Sequence, residues 1–216
     1  MCNHSQSTTW YNRLFARFYD PFMRRFEQDF LLEKRRHLLQ SIQGTILEIG
    51  CGTGINFTLY PAGTQVIACD PSAPMLGYAY ERLEQEKANI KAAIELVHAG
   101  MGDAALESYV PEGGFDAIVC TLVLCTVPDQ RAAIETIKKW LKPGGNLYVL
   151  EHIQAHSSLG KFFFNLFNPL QKRFAEGCHL NRTTDQNLKN QGFQPNWETY
   201  FSKGLPLYAA ILHLKN

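Results

Sequence analysis

The spacing of apolar positions divides the chain into a helical opening and a longer stretch of alternating elements. Trp10, Leu14, Phe15 and Phe18 recur at helical spacing and predict a short amphipathic helix. Asp20-Pro21 then reads as an N-cap followed by proline at the first helical position, opening a second helix. Phe22, Phe26, Phe30, Leu38, Leu39 and Ile42 give that helix its apolar positions, and Glu33-Lys34-Arg35-Arg36 its solvated face. About 40 residues of helix therefore precede the first strand.

From Thr45 the period changes. Short apolar runs at 45–49, 65–68, 94–97, 116–122 and 146–150 read as strands, with helical patterns between them. Ser72 is placed to cap a helix carrying Met75, Leu76, Ala79 and Leu83. Ile134, Ile137 and Leu141 mark another helix, which is expected to stop at Lys142-Pro143-Gly144-Gly145. Beyond it come an aromatic-rich stretch over 159–174, a helix end at 188–192, and late strands at 196–201 and 207–214. Repeated strand-helix alternation implies an α/β fold of Rossmann-like, doubly wound type. The sheet is mostly parallel and seven-stranded, with helices on both faces and an N-terminal helical lid. The whole chain reads as one domain: a lid over 1–43, a cofactor-binding core over 44–152, and an acceptor-side helix with the final strands over 153–216.

Composition narrows the function classes. The chain has 216 residues, enough to bury a sizeable core without disulfides, and is 45% hydrophobic and 19% charged, which excludes disordered and fibrous classes. Lys and Arg number 21 against 20 Asp and Glu, so there is no global electrostatic case for nucleic acid. The six cysteines form no Cys-x-x-Cys pair, and no metal-ligand spacing is visible. Cys120 and Cys125 read as small apolar residues on a buried strand. Polar Asn3, His4, Ser5 and Gln6 sit where a signal peptide needs its apolar core, and no run approaches the roughly 20 apolar residues of a spanning helix, so a cytoplasmic protein is expected.

The chemistry concentrates in Leu47-Glu48-Ile49-Gly50-Cys51-Gly52-Thr53-Gly54, with Asp70 twenty residues after Gly50. A strand runs into a turn rich in glycine, which permits close approach of backbone to a ligand. A carboxylate at the end of the next strand suits a ribose diol. The set predicts an adenosine-type nucleoside at the carboxyl edge of the sheet. The Gly-x-Gly-x-Gly spacing differs from the dinucleotide fingerprint and disfavours NAD.

This segment resembles motif I of class I S-adenosylmethionine-dependent methyltransferases, and Leu141-Lys142-Pro143-Gly144-Gly145 resembles their segment before the fifth strand. Asn56-Phe57, Tyr60-Pro61, 120–125, Glu151-His152 and 177–182 resemble the methyltransferase-like seven proteins, lipophilic-thiol S-methyltransferases of endoplasmic reticulum and lipid droplets. That likeness covers residues 45–216. Before it, Tyr11-Asn12-Arg13-Leu14 and Tyr19-Asp20 instead resemble the lid of soluble bacterial quinone and phospholipid methyltransferases. The resemblance implies S-adenosylmethionine as cofactor. Gly50, Cys51, Gly52 and Gly54 would line its methionine and ribose part, with Glu48 supporting the loop or reaching the amino group through water. Asp70 would hold the ribose, with Pro71, Met75 and Asp103 (or Met101) near adenine. Thr121 and Leu122 would lie beside the sulfonium, and Tyr19 would close over the cofactor or pack between helices.

Methyl transfer from a sulfonium rests largely on alignment. A thiol acceptor, with an ordinary pKa of about 8.5, needs less help from a base than an ammonium does. His152 is the first base candidate and His179 the second, the alternative for each being a structural hydrogen bond. Arg182 would pair an acceptor phosphate or carboxylate, or form a surface ion pair. Phe162, Phe163, Phe164 and Phe167, flanked by Lys161, Lys172 and Arg173, suggest an apolar acceptor pocket, a membrane-touching lid, or packing against the sheet. The expected acceptor is a small lipophilic molecule, most simply a thiol. Phosphatidylethanolamine or a quinone precursor is the alternative, and a nucleoside-binding regulatory module is the non-enzyme reading.

Overall fold

A computed structural model describes residues 10–155, 157–174, 177–202 and 204–215, apart from the side chains of Tyr11 and of residues 170–174. Cys2, the stretch Asn3 to Gln6, and the Lys172 and Arg173 side chains therefore lie outside the described residues. Two compact units divide the chain, Met1–Pro111 and Glu112–Asn216.

In the first unit, α1 (Trp10–Phe26) continues through Pro21, so the expected helix start at Asp20-Pro21 does not occur. Asp20 does not cap a helix because its carboxylate is engaged by Arg82 and Thr53. A π-turn (Glu27–Leu31) leads into α2 (Leu32–Leu39). The single-helix stripe Phe22, Phe26, Phe30 also fails, because the π-turn shifts the buried face: Phe22 is 84% exposed, while Glu27 and Leu31 of the π-turn are buried. Arg35 also departs from the expected solvated face. It is buried, donating to Glu27 at 2.8 Å and to Asn56 at 3.0 Å.

The strands β1 (Thr45–Ile49), β2 (Gln65–Asp70) and β3 (Ala93–His98) pair in parallel in the order β3-β2-β1. Helix α3 (Ala73–Gln85) starts at Ser72 as expected, but the Ser72 side chain makes no capping bond. A one-turn helix α4 (Ala104–Glu107) follows β3.

In the second unit, β4 (Phe115–Thr121) is buried on both faces, as its near-continuous apolar run requires. Asp129 caps α5 (Gln130–Trp140), and Lys138 and Lys139 close the helix where positive charge suits its dipole. The strand β5 (Leu141–His152) begins immediately after α5, so Pro143, Gly144 and Gly145 belong to an irregular strand start instead of a helix stop. Next come α6 (Ser158–Phe174), α7 (Thr184–Asn190), β6 (Phe193–Ser202) and β7 (Pro206–Leu214). β4 pairs β5 in parallel, and β7 lies antiparallel to both β5 and β6. The described strands number seven and are mostly parallel, which is the Rossmann-like class expected. Among the described residues no helix is long and apolar enough to cross a membrane.

Candidate active site

The glycine loop of the first unit is built from backbone outward. The β1 strand leads into Gly50 and Cys51, whose N–H groups both donate to the Cys69 carbonyl at 2.8 and 3.0 Å. Gly52 follows at φ +57° with open space where a side chain would begin. Its N–H donates to Asp70 Oδ2 at 2.9 Å, while Asp70 Oδ1 accepts from Ser72 N–H at 2.8 Å. Gly54, at φ +78°, is different: a Cβ there would collide with the Phe57 ring. Burial raises the Asp70 carboxyl above its usual pKa, against the pull of those two N–H donors.

Beneath the loop, Glu48 is fully buried. It accepts from Asn56 Nδ2 at 2.7 Å and from Tyr60 Oη at 2.9 Å. Desolvation pushes its pKa up to about 7 despite those bonds and the nearby Arg35. Glu48 thus ties the start of the loop to its exit. Cys51 is buried beside it, and burial pushes its thiol pKa well up.

A clasp that sequence reading missed holds the other side. Thr53 Oγ1 donates to Asp20 Oδ1 at 2.8 Å, Arg82 Nη2 donates to Asp20 Oδ2 at 2.6 Å, and Arg82 Nε donates to the Thr53 carbonyl at 2.8 Å. Tyr19, next to Asp20, is half-buried with its ring centroid 5.5 Å from that of Phe15, a contact along its own helix. Met75 is buried and Pro71 exposed. Gly100 has Pro71 and Asp103 beside it, and its N–H donates to Asp103 Oδ2 at 2.6 Å. Ser72 Oγ is buried with no hydrogen-bond partner.

The second unit carries a separate polar cluster at the end of β5. Thr121 is buried at the end of β4, and Leu122 adopts φ +59°, a backbone region costly for a branched side chain. The turn it opens aims three N–H groups at one carboxylate. Val123 and Leu124 donate to Glu151 Oε1 at 2.8 Å each, and Cys125 to Oε2 at 3.2 Å. Burial nonetheless pushes Glu151 up to about 7.

His152, the last residue of β5, is buried. Its Nδ1 lies 3.6 Å from Cys178 Sγ, which lies 3.6 Å from Cys125 Sγ. Burial works against the imidazolium, but the Cys178 contact and Glu151 outweigh it and raise the ring's pKa. Cys125 is therefore more than a small apolar residue, and it lies in the turn after β4 instead of on the strand. His179 is half-buried, and its N–H donates to the Cys125 carbonyl at 2.9 Å. Arg182 holds backbone, its Nη1 donating to the Leu124 carbonyl at 2.7 Å and its Nη2 to the Pro128 carbonyl at 3.4 Å. Gln130 secures the same turn, donating to the Leu124 carbonyl and to Thr184 at 2.9 Å each.

Three potential metal ligands come together without any metal-ligand spacing in the sequence. Cys125, His152 and Cys178 lie far apart in sequence, yet their ligand atoms all fall within 4.8 Å of one another.

A methyltransferase-domain family matches residues 15–196. The chain belongs to that family. Among relatives of this methyltransferase, thiol S-methyltransferase TMT1B of Homo sapiens is 32% identical over 169 residues, covering 74% of the chain and 67% of the relative. A phosphatidylethanolamine N-methyltransferase of Cereibacter sphaeroides is 28% identical over 109 residues, 50% of the chain and 51% of the relative. The N-methyltransferase NodS of Bradyrhizobium japonicum, solved with S-adenosyl-L-homocysteine, shares the fold at a TM-score of 0.61 and 19% identity, with 87% of each chain covered.

Proposed function

We infer that this methyltransferase uses S-adenosylmethionine to methylate a small lipophilic acceptor, and that the acceptor is a thiol. The observation that carries the acceptor is the 32% identity to a thiol S-methyltransferase over 74% of the chain. The cofactor is supported by three features of the first unit. Gly52 leaves open space where a side chain would stand, Asp70 presents a buried carboxylate beside it, and Ser72 holds a buried hydroxyl with no partner.

When bound, S-adenosylmethionine supplies a methyl group on a positively charged sulfur, open to in-line displacement. Asp70 accepts hydrogen bonds from the ribose hydroxyls, and the Gly50–Gly54 backbone lines the amino acid and ribose part. Pro71, Met75 and Asp103 are the residues for adenine, Tyr19 for closure, and Thr121 and Leu122 for contact from the end of β4. Cys51 and Glu48 keep the loop in shape from below. His152 and His179 are the groups for handling the acceptor's proton.

A membrane-dissolved acceptor agrees with the exposed face of α6, where Leu159, Phe162, Phe163, Leu166 and Phe167 all stand in solvent. Peripheral membrane contact from the cytoplasmic side is the corresponding location. The second reading, transfer to phosphatidylethanolamine or a quinone precursor, rests on the similarity to an N-methyltransferase of that lipid.

The test is methyl transfer from labelled S-adenosylmethionine to an alkyl thiol, phosphatidylethanolamine vesicles and a quinol precursor. Label in a thioether is the expected result. Label only in lipid or quinol moves the acceptor to the second reading.

A further inference from the structure

The geometry points to a zinc site formed by Cys125, His152 and Cys178, with one position left for a thiol. The ion part stands on the second unit alone. The thiol part rests on the acceptor proposed above.

Distances accommodate an ion where the side chains otherwise form a hydrogen-bond chain. Tetrahedral zinc with Zn–S of about 2.3 Å and Zn–N of about 2.0 Å spaces two sulfurs about 3.8 Å apart, and sulfur from nitrogen about 3.5 Å. The structure has 3.6 Å for Cys125 Sγ to Cys178 Sγ and 3.6 Å for Cys178 Sγ to His152 Nδ1. Two edges of a tetrahedral face are thus in place before any ion is added, and all three ligand atoms lie within 4.8 Å of one another. A disulfide between the same cysteines would instead need the sulfurs to close to about 2.05 Å.

Donor chemistry agrees. Two thiolates and a neutral imidazole suit zinc among divalent ions, and they balance its charge. The three residues come from separate segments: the turn after β4, the end of β5 and the loop before α7. Each segment is fixed by its backbone. Cys125 is held through its N–H on Glu151, His152 sits in the β5–β7 ladder opposite Leu207, and the Cys125 carbonyl is tied to His179.

No fourth His, Cys, Asp or Glu joins the group among the described residues. Glu151, the nearest carboxylate in sequence, has its oxygens engaged by three N–H groups. A three-ligand site with an open position is the pattern of zinc centres that bind and activate a ligand. A thiol entering there forms a sulfur–zinc bond and releases its proton to solvent, with no change of oxidation state. The resulting thiolate adds a third negative sulfur to the centre, and the nearby Arg182 guanidinium offsets it electrostatically. With the ion bound, His152 acts as a ligand, and lowering of the thiol pKa falls to zinc.

Cobalt is the probe, because zinc itself has no visible spectrum. Reduced, chelator-treated protein should take up one cobalt ion per chain, developing sulfur-to-cobalt charge-transfer absorption. Cys178→Ser and His152→Gln should weaken uptake at least tenfold. Cys178 is only half-buried, so Cys178→Ser should keep the melting temperature of the metal-free protein, which separates ligand loss from misfolding. Ethanethiol should shift the cobalt d–d bands. Reduced wild-type protein that binds no cobalt, or a spectrum unchanged in Cys178→Ser, overturns the site. Bands unmoved by ethanethiol overturn the open position. Cobalt binding with no methylated thiol product would sink the thiol acceptor and leave the ion site standing.

Discussion

Glu48 and Glu151 are both fully buried, and burial pushes both up to about 7, yet the two units hold them in different ways. Glu48 is held by side chains, Asn56 and Tyr60, that reach it from the loop it supports. Glu151 is held by three consecutive backbone N–H groups, an arrangement that leaves the donors no freedom to turn. A side-chain donor can rotate to suit a new partner, whereas a backbone donor cannot. The first carboxylate braces a ligand loop against its surroundings. The second fixes the conformation of the turn carrying Leu122 and Cys125.

The sharpest way to break this contrast is amide replacement at each position. Glu151→Gln keeps one acceptor oxygen and sets an amide NH₂ against a backbone N–H, so it should cost about 3 kcal/mol of stability. Glu48→Gln should cost about 1 kcal/mol, because the Tyr60 hydroxyl can rotate to accept from the new amide. Urea unfolding at pH 8 measures both, and equal costs would erase the distinction.

Asp70 tests the ligand side of the first unit. Asp70→Ala should weaken S-adenosylhomocysteine binding, measured by calorimetry, by about 1–3 kcal/mol as ribose hydroxyls lose their acceptor. Unchanged affinity would remove Asp70 from the site.

Stability against pH sharpens the comparison further. Both carboxyls sit near 7 in the folded chain against an ordinary 4.5, so the folded state binds more protons between those values. Their stabilising contribution is full below about 4.5 and is lost as pH rises through about 7. Asp70 and His152 are shifted in the same direction. Chemical denaturation should therefore show stability falling from pH 5 to 8, and each glutamine variant should flatten part of that fall. A rising curve would contradict the burial of both groups.

Smaller effects are expected at the clasp and the surface. Arg82→Met should cost about 1 kcal/mol, since its ion pairs are partly solvated but its bond to the Thr53 carbonyl is lost. Phe22→Ser and Phe162→Ser should change stability by less than about 0.5 kcal/mol in melting experiments, because both rings already face water.

The strands and glycine loop were legible because their signals are local. The buried run 45–49 leads straight into Gly50, and Asp70 ends the next strand. What escaped was long-range. The Asp20–Arg82 pair spans 62 residues, and the sulfur pair Cys125–Cys178 spans 53, so neither leaves a spacing to read. Asp20-Pro21 carried a true helix-start signature that tertiary contacts overrode, since Thr53 and Arg82 engage the carboxylate that would have capped. Arg35 sits in a charge run that reads as solvated, yet it turns inward because Glu27 and Asn56 offer it buried partners.

The two glycines that open and close the same turn make a final contrast visible to a mutational scan. Gly52 has free space and a backbone that asparagine can adopt, so Gly52→Asn should yield folded protein with no bound nucleoside. Gly54 is blocked by Phe57, so any side chain there should lower the amount of folded protein itself. In such a scan, abundance and activity would part company at position 52 and fall together at position 54. One glycine motif would thus divide into a residue kept by its ligand and a residue kept by its neighbour.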